Sequence, residues 1–249
     1  MGSNPIIVWF RRDLRIADNP ALLYAARSGQ PVVPLYVAGW DDPDVWAPGM
    51  AGRWWLKRSL QSLGASLSLR GAPLRVARGR AEEVIPRIAR SLGAGEVVWN
   101  RLYEPYAREL DLRLTVALGQ DGLKGRSFNA ALLFEPEDRM SRSGRPFVQF
   151  AAYWRSCLAS SEPDSPQPQV RELRCAAETV GTTGERGPEA LRDFSEWEPQ
   201  VRGMPRWEPG ETGAHERLER FVEQILAGYE QSRDLPGIDG TSTISPHLH

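Results

Sequence analysis

Short, wholly apolar runs recur through the first half of the chain, separated by stretches in which apolar residues return every three or four positions. Runs of this length bounded by turn residues read as buried strands, and the periodic stretches between them read as covering helices. Strands are therefore expected at Ile6 to Phe10, Val32 to Val37, Leu74 to Ala77, Glu96 to Trp99 and Gly125 to Phe128. Helices are expected at Pro20 to Ala26, about Gly52 to Leu69, Ala81 to Leu92 and Tyr106 to Leu118. Asn19 offers a side-chain acceptor at the start of the first helix, and Pro20 stands where a missing amide hydrogen costs nothing. Gly29 closes it. Alternating strands and helices build a parallel sheet covered on both faces, so the expected fold is a doubly wound α/β domain with five strands, residues 125–128 forming an edge.

The texture changes beyond residue 130. Phe147 to Leu158 is one aromatic-rich helical stretch, and its Phe147, Phe150, Tyr153 and Trp154 fall at helical spacing, a pattern read as packing. Residues 161–211 are crowded with Pro, Gly, Ser, Glu and Thr. So long a stretch without periodicity reads as an interdomain connector wrapped over the surface and partly mobile. Helical periodicity returns at Thr212 to Tyr229, with Leu218, Phe221, Val222, Ile225 and Leu226 on one face. The residues after it are too few to cover that face. The expected organisation is an α/β domain over 1–130, an exit helix and linker over 131–211, and the truncated start of a helical domain over 212–249.

Composition narrows the function classes. A chain of 249 residues with 41% hydrophobic content can bury a full core. Cys157 and Cys175 are too few for a disulfide framework, and no CxxC or HExxH occurs, so a reducing cytoplasm and no metal site are expected. No apolar run approaches the roughly 20 residues that span a bilayer, and no leader pattern opens the chain. A soluble monomer is expected. The net charge of -1 hides a division, with 18 basic and 12 acidic residues over 1–130 against 13 and 20 over 131–249. Neither half carries a basic excess that would by itself hold DNA phosphates tightly. Arginine outnumbers lysine 29 to 2, which reads as the mark of a GC-rich genome.

The carboxyl edge of the sheet is where open α/β folds bind ligands, at the reversal of strand order. The string Phe10-Arg11-Arg12-Asp13-Leu14-Arg15 lies there, and its bland reading is an ion pair between Asp13 and an arginine that fixes the loop. No GxGxxG follows the first strand and no GxxxxGK[ST] occurs, which disfavours ordinary dehydrogenases and P-loop enzymes. Near the other end stand Tyr229, Arg233 and Thr241-Ser242-Thr243-Ile244-Ser245. Hydroxyls and free amides at a helix start suit a pyrophosphate, though alone such a string reads as a cap and a solvated turn.

Taken together, Ile7 to Pro20, Trp99 to Tyr106, Ser143 to Phe150 and the Thr241 to Ser245 string resemble landmarks of the photolyase/cryptochrome flavoproteins. The resemblance runs from Ile6 to His249, and a typical member is about twice as long. It implies light-driven, FAD-dependent repair of pyrimidine dimers in damaged DNA, with Tyr229, Thr241, Ser242, Thr243, Ile244 and Ser245 at the FAD phosphates and Arg233 near the DNA backbone. It implies too that Arg53 and Glu104 border a cleft for an antenna chromophore. Folate-binding members carry an Asn-Glu pair where this chain has Tyr106 and Ala107, so a folate held in that way is disfavoured; a deazaflavin, a flavin and an empty cleft stay open. In the family the helices that enclose the flavin rings lie beyond the position of His249. This chain alone is therefore expected to lack repair activity, to release FAD and to bind DNA weakly. Other readings are a stand-alone antenna or nucleotide-binding module and a cryptochrome-like blue-light photosensor.

Overall fold

A computed structural model describes residues 4–39, 48–141, 143–160, 162–175 and 207–248. Five strands form one parallel sheet: β1 Ile6–Phe10, β2 Val32–Ala38, β3 Arg75–Arg78, β4 Glu96–Asn100 and β5 Lys124–Phe128, in the order β3-β2-β1-β4-β5. Strand order reverses between β1 and β4, so the crevice of a doubly wound fold opens at their carboxyl ends. Period-two alternation splits the apolar residues between two cores. Ile6, Val8 and Phe10 face one side with Leu22, Leu60 and Leu67 from α1 (Pro20–Arg27) and α2 (Met50–Leu69). Ile7 and Trp9 face the other with Ile85, Ile88, Leu114 and Leu118 from α3 (Ala81–Leu92) and α4 (Pro105–Gln120). Asn19 caps α1 through Leu22 N–H at 3.1 Å, and Pro20 opens it.

Pro34 lies inside β2 without disrupting the sheet. Val32, two residues earlier and so on the same side, donates its amide away from β1 to the Arg174 carbonyl at 2.7 Å. The β3 ladder begins only at Leu35, so Pro34 lacks its donor where that side is not yet paired.

The start of the expected surface connector belongs to the first core. Val170 and Leu173 are buried there, Leu173 N–H donates to the Arg70 carbonyl at 2.8 Å, and Gln167 and Asp18 exchange hydrogen bonds. Apolar residues at 170 and 173 plug the gap between α1 and α2, so this segment is a sheet-side strap. The remainder of the expected linker, 176–206, lies outside the described residues.

Two expected helices differ from their patterns. α5 spans Phe150–Leu158, and only Cys157 of it is buried. Its aromatic stripe is not core: Phe150 is 73% and Trp154 43% exposed, and both line an open groove of about 520 Å3 with Leu132 and Phe134. The continuous helix expected at 212–229 is broken into α6 (Glu211–Arg220), a π turn over Phe221–Ile225, a 3-10 turn over Leu226–Gly228 and α7 (Tyr229–Ser232). Gly228 at the junction weakens helical continuity, and the exposed Leu218, Val222 and Leu226 gain nothing from a regular face.

Candidate functional site

β1 ends at Phe10 and hands the chain to a loop of charged residues that the structure holds from several sides. The Arg11 guanidinium pairs with Asp111 of α4 at 2.8 Å, donates to the Asn100 carbonyl at the end of β4, and lies 4.6 Å from the centre of the Trp9 ring. Asp111 also accepts from Trp99 Nε1 at 2.9 Å. Burial pushes the pKa of Arg11 below its ordinary value and that of Asp111 above its own, and each charge opposes the shift of the other.

The expected pairing of Asp13 with an arginine does not form. Arg11 reaches across the sheet edge to α4, which leaves the Asp13 carboxylate to accept Arg11 N–H at 2.9 Å and Asn100 Nδ2 at 2.6 Å. Asn100 Nδ2 also donates to Asn19 Oδ1 at 2.8 Å, and its Oδ1 accepts Ala21 N–H at 3.1 Å. One amide at the tip of β4 thus ties the turn after β1 to the start of α1. Arg15 spends its donors on the carbonyls of Ala17, Asp18 and Ala130.

Above this loop opens a cleft of about 880 Å3, within the size range of small-molecule sites. Arg11, Arg12, Arg15 and Tyr36 border it on the sheet side, and Gly52, Trp55, Leu56 and Ser59 present one face of α2 at helical spacing. Glu211, Ala214 and His215 of α6, with His247, form the opposing wall. Trp55 packs edge-on against His247 at 4.9 Å and Trp207 at 6.2 Å. Burial, and then the Arg217 charge, lower the His247 pKa, so its imidazole is neutral at neutral pH; its Nε2 is buried without a hydrogen-bond partner. The cleft therefore has both guanidinium groups and flat rings in its lining.

The α6 wall is fixed by a contact spanning nearly the whole chain. Glu211 accepts the N–H of Ile16 at 2.8 Å through Oε2 and that of Ala17 at 2.9 Å through Oε1. Gly210 just before it passes so close to α2 that a Cβ would collide with Ser62 Oγ, and its φ of +110° also favours glycine.

Of the residues singled out from sequence, Glu104 reaches the cleft indirectly, through a 2.5 Å contact with Arg12; backbone hydrogen bonds and then Arg12 hold its carboxyl below the usual range. Arg53 donates Nε to the Pro48 carbonyl at 2.8 Å and falls between the cleft-facing positions 52, 55 and 56, so it is not on the wall. Tyr106 packs against the second core and Ala107 is buried, both in the first turn of α4. Gly240, just before the distant string, lies so close to α7 that a Cβ would collide with the Ser232 carbonyl oxygen. Arg233 lies 5.9 Å from the exposed Tyr229 ring and 3.5 Å from Asp234. The string ends in a three-residue 3-10 turn, Ser245–His247, which provides no α-helix start for a phosphate. Sequence reading missed Trp55, Glu211 and His247. Only the Gly210-Glu211 helix opening carried a local signal.

No group of residues suited to a metal ion occurs among the described residues, and no described helix is long and apolar enough to cross a membrane. The buried parallel sheet, with a ligand-sized cleft over the loop that follows β1, defines a doubly wound α/β domain. The DNA photolyase family pattern matches residues 6–170, and the chain belongs to that family. It is 38% identical to the deoxyribodipyrimidine photo-lyase of Agrobacterium fabrum, covering 100% of this chain and 51% of that protein. It is 36% identical to cryptochrome-1 of Arabidopsis thaliana, over 98% of this chain and 35% of the relative. The crystal structure of a class III photolyase from Agrobacterium tumefaciens superposes with a TM-score of 0.85 at 37% identity, covering 100% of this chain and 50% of that one. The chain thus spans about half the length of these photolyases.

Proposed function

We propose that this span is the α/β half of a light-driven, FAD-dependent enzyme that repairs pyrimidine dimers in DNA, and that its own part in that work is to hold a light-absorbing chromophore. The observation that carries this reading is the 880 Å3 cleft above the loop after β1, bordered by Arg12 on the sheet side and by Trp55 and His247. The exposed Arg12 guanidinium, bonded to Glu104 through one nitrogen, keeps donors for an anionic tail, and ring edges select a planar heteroaromatic body. The similarity to photo-lyases over the full chain supplies the repair reaction, which we assign to the protein containing this span.

A bound FAD supplies the photochemical electron transfer. In this chain Tyr229, Thr241, Ser242, Thr243, Ile244 and Ser245 would hold its phosphates, and their exposed or half-exposed placement fits contact with phosphate rather than enclosure of the rings. Hydrogen bonds of that kind, made in water, give little net affinity. Arg233 adds one contact to the DNA backbone, so the span itself binds DNA weakly and with a shallow salt dependence.

The test begins with the absorbance of the purified chain. A near-ultraviolet or flavin-type band, or micromolar quenching of FMN fluorescence on titration, supports the chromophore cleft; a colourless chain that binds neither FMN nor a deazaflavin refutes it. A blue-light sensor is the second reading, favoured by the similarity to cryptochrome-1. Light-dependent loss of dimers from irradiated DNA by the protein containing this span separates enzyme from sensor.

A further inference from the structure

The cleft is shared between two parts of the chain 195 residues apart. One wall and the loop arginines come from the sheet; the other wall comes from α6 and the turn at His247. The part that closes the cleft is attached at the Ile16 and Ala17 amides, in the same loop that supplies Arg12 and Arg15. The same closing part brings the His247 ring to the cleft wall, edge-on to Trp55 at 4.9 Å.

Resting on the chromophore reading above, we infer that occupation of the cleft and docking of residues 207–248 on the sheet form one coupled equilibrium. Glu211 is its positioning residue, and the His247 ring is the part of the closing wall that meets the ligand. The ligand class is a planar heteroaromatic with a polar ring edge and an anionic tail. Opening the clasp removes one wall of the cleft, so a ligand that contacts both walls must leave before Glu211 can release the loop. Coupling of this type is reciprocal: what the clasp adds to ligand affinity, the ligand adds to the clasp.

The experiment uses the full chain and FMN as probe. Hydrogen exchange is followed at the Ile16 and Ala17 amides, the donors to Glu211, without FMN and with FMN at a hundred times its Kd. Coupling slows exchange there by up to about 100-fold, since each opening must then wait for ligand release. Glu211→Gln keeps the side-chain length but turns an NH2 group toward one of the two amides, and the Kd for FMN should rise about tenfold, within the usual 5–150-fold range of coupling. His247→Ala removes the ring from the closing wall and should weaken FMN several-fold. Should E211Q fail to fold, the exchange measurement on the unaltered chain still decides. FMN binding that leaves exchange at Ile16 and Ala17 unchanged overturns the coupling while leaving the chromophore reading intact. Unaltered affinity in H247A removes His247 from it. Failure of the unaltered chain to bind FMN or a deazaflavin at all counts against both.

Discussion

Replacing Asp111 by alanine isolates the energetics of the loop that floors the cleft. The Arg11 side chain is 8% exposed and that of Asp111 16%, so the pair is nearly dehydrated. Removing the carboxylate leaves a guanidinium that cannot lose its proton in a protein, buried beside the Trp9 ring with only the Asn100 carbonyl as an acceptor. Trp99 Nε1 loses its acceptor as well. Breaking a buried pair from one side costs about 3–5 kcal/mol, whereas replacing both partners by apolar residues of similar volume is often close to neutral. Arg11→Met combined with Asp111→Leu should therefore recover most of the loss. In urea, with a slope of about 3 kcal/mol per molar, the single substitution shifts the unfolding midpoint down by roughly 1–1.7 M. Equilibrium unfolding followed by tryptophan fluorescence and circular dichroism gives both values. A D111A midpoint within about 0.3 M of the parent, or a double variant no more stable than D111A, would refute the view that this pair holds the loop by mutual neutralisation.

Leu173→Ala should destabilise the sheet by about 2–5 kcal/mol, since Leu173 is 5% exposed within the first core and its removal leaves a cavity; a loss below about 0.5 kcal/mol in denaturant unfolding would return the segment to the status of a loose connector. The imidazole of His247 should titrate below the ordinary histidine pKa of about 6.5, because burial disfavours its charged form. Its depressed folded value means that the stability it contributes is present above the unfolded pKa and lost as pH falls through the folded pKa. Docking of residues 207–248 should thus weaken in mild acid, read as faster proteolysis there. An NMR midpoint at or above about 6.5 contradicts the sign.

The sheet was legible because buried parallel strands read as apolar runs, and each expected strand falls within a residue of its observed bounds. Asn19 and Pro20 act at short range and were read correctly for the same reason. The site was legible only in part. That Asp13 would settle on Asn100, 87 residues away, and Arg11 on Asp111, 100 residues away, depends on which side chain spans the crevice, and no local pattern encodes that. Glu211 carries a helix-start signal, yet its partners are backbone amides of a loop that says nothing of a distant carboxylate. The helix expected over 212–229 shows the opposite failure: periodicity was present, but helix continuity depends on packing as well as on spacing.

The strap formed by Val170 and Leu173 sets the order of events during synthesis. The last strand, β5, ends at Phe128, and the residues that complete the first core lie roughly 45 positions later. At about 5–20 residues per second, the ribosome leaves the nascent sheet for about 2–9 s with a gap between α1 and α2. Through that interval the outward amide of Val32 also waits for the Arg174 carbonyl. An uncovered apolar gap beside an unpaired strand amide is where a nascent chain sticks to its neighbours. Yield of native protein should thus depend on how quickly residues 129–175 are translated, a sensitivity written into the chain by where its strap is encoded.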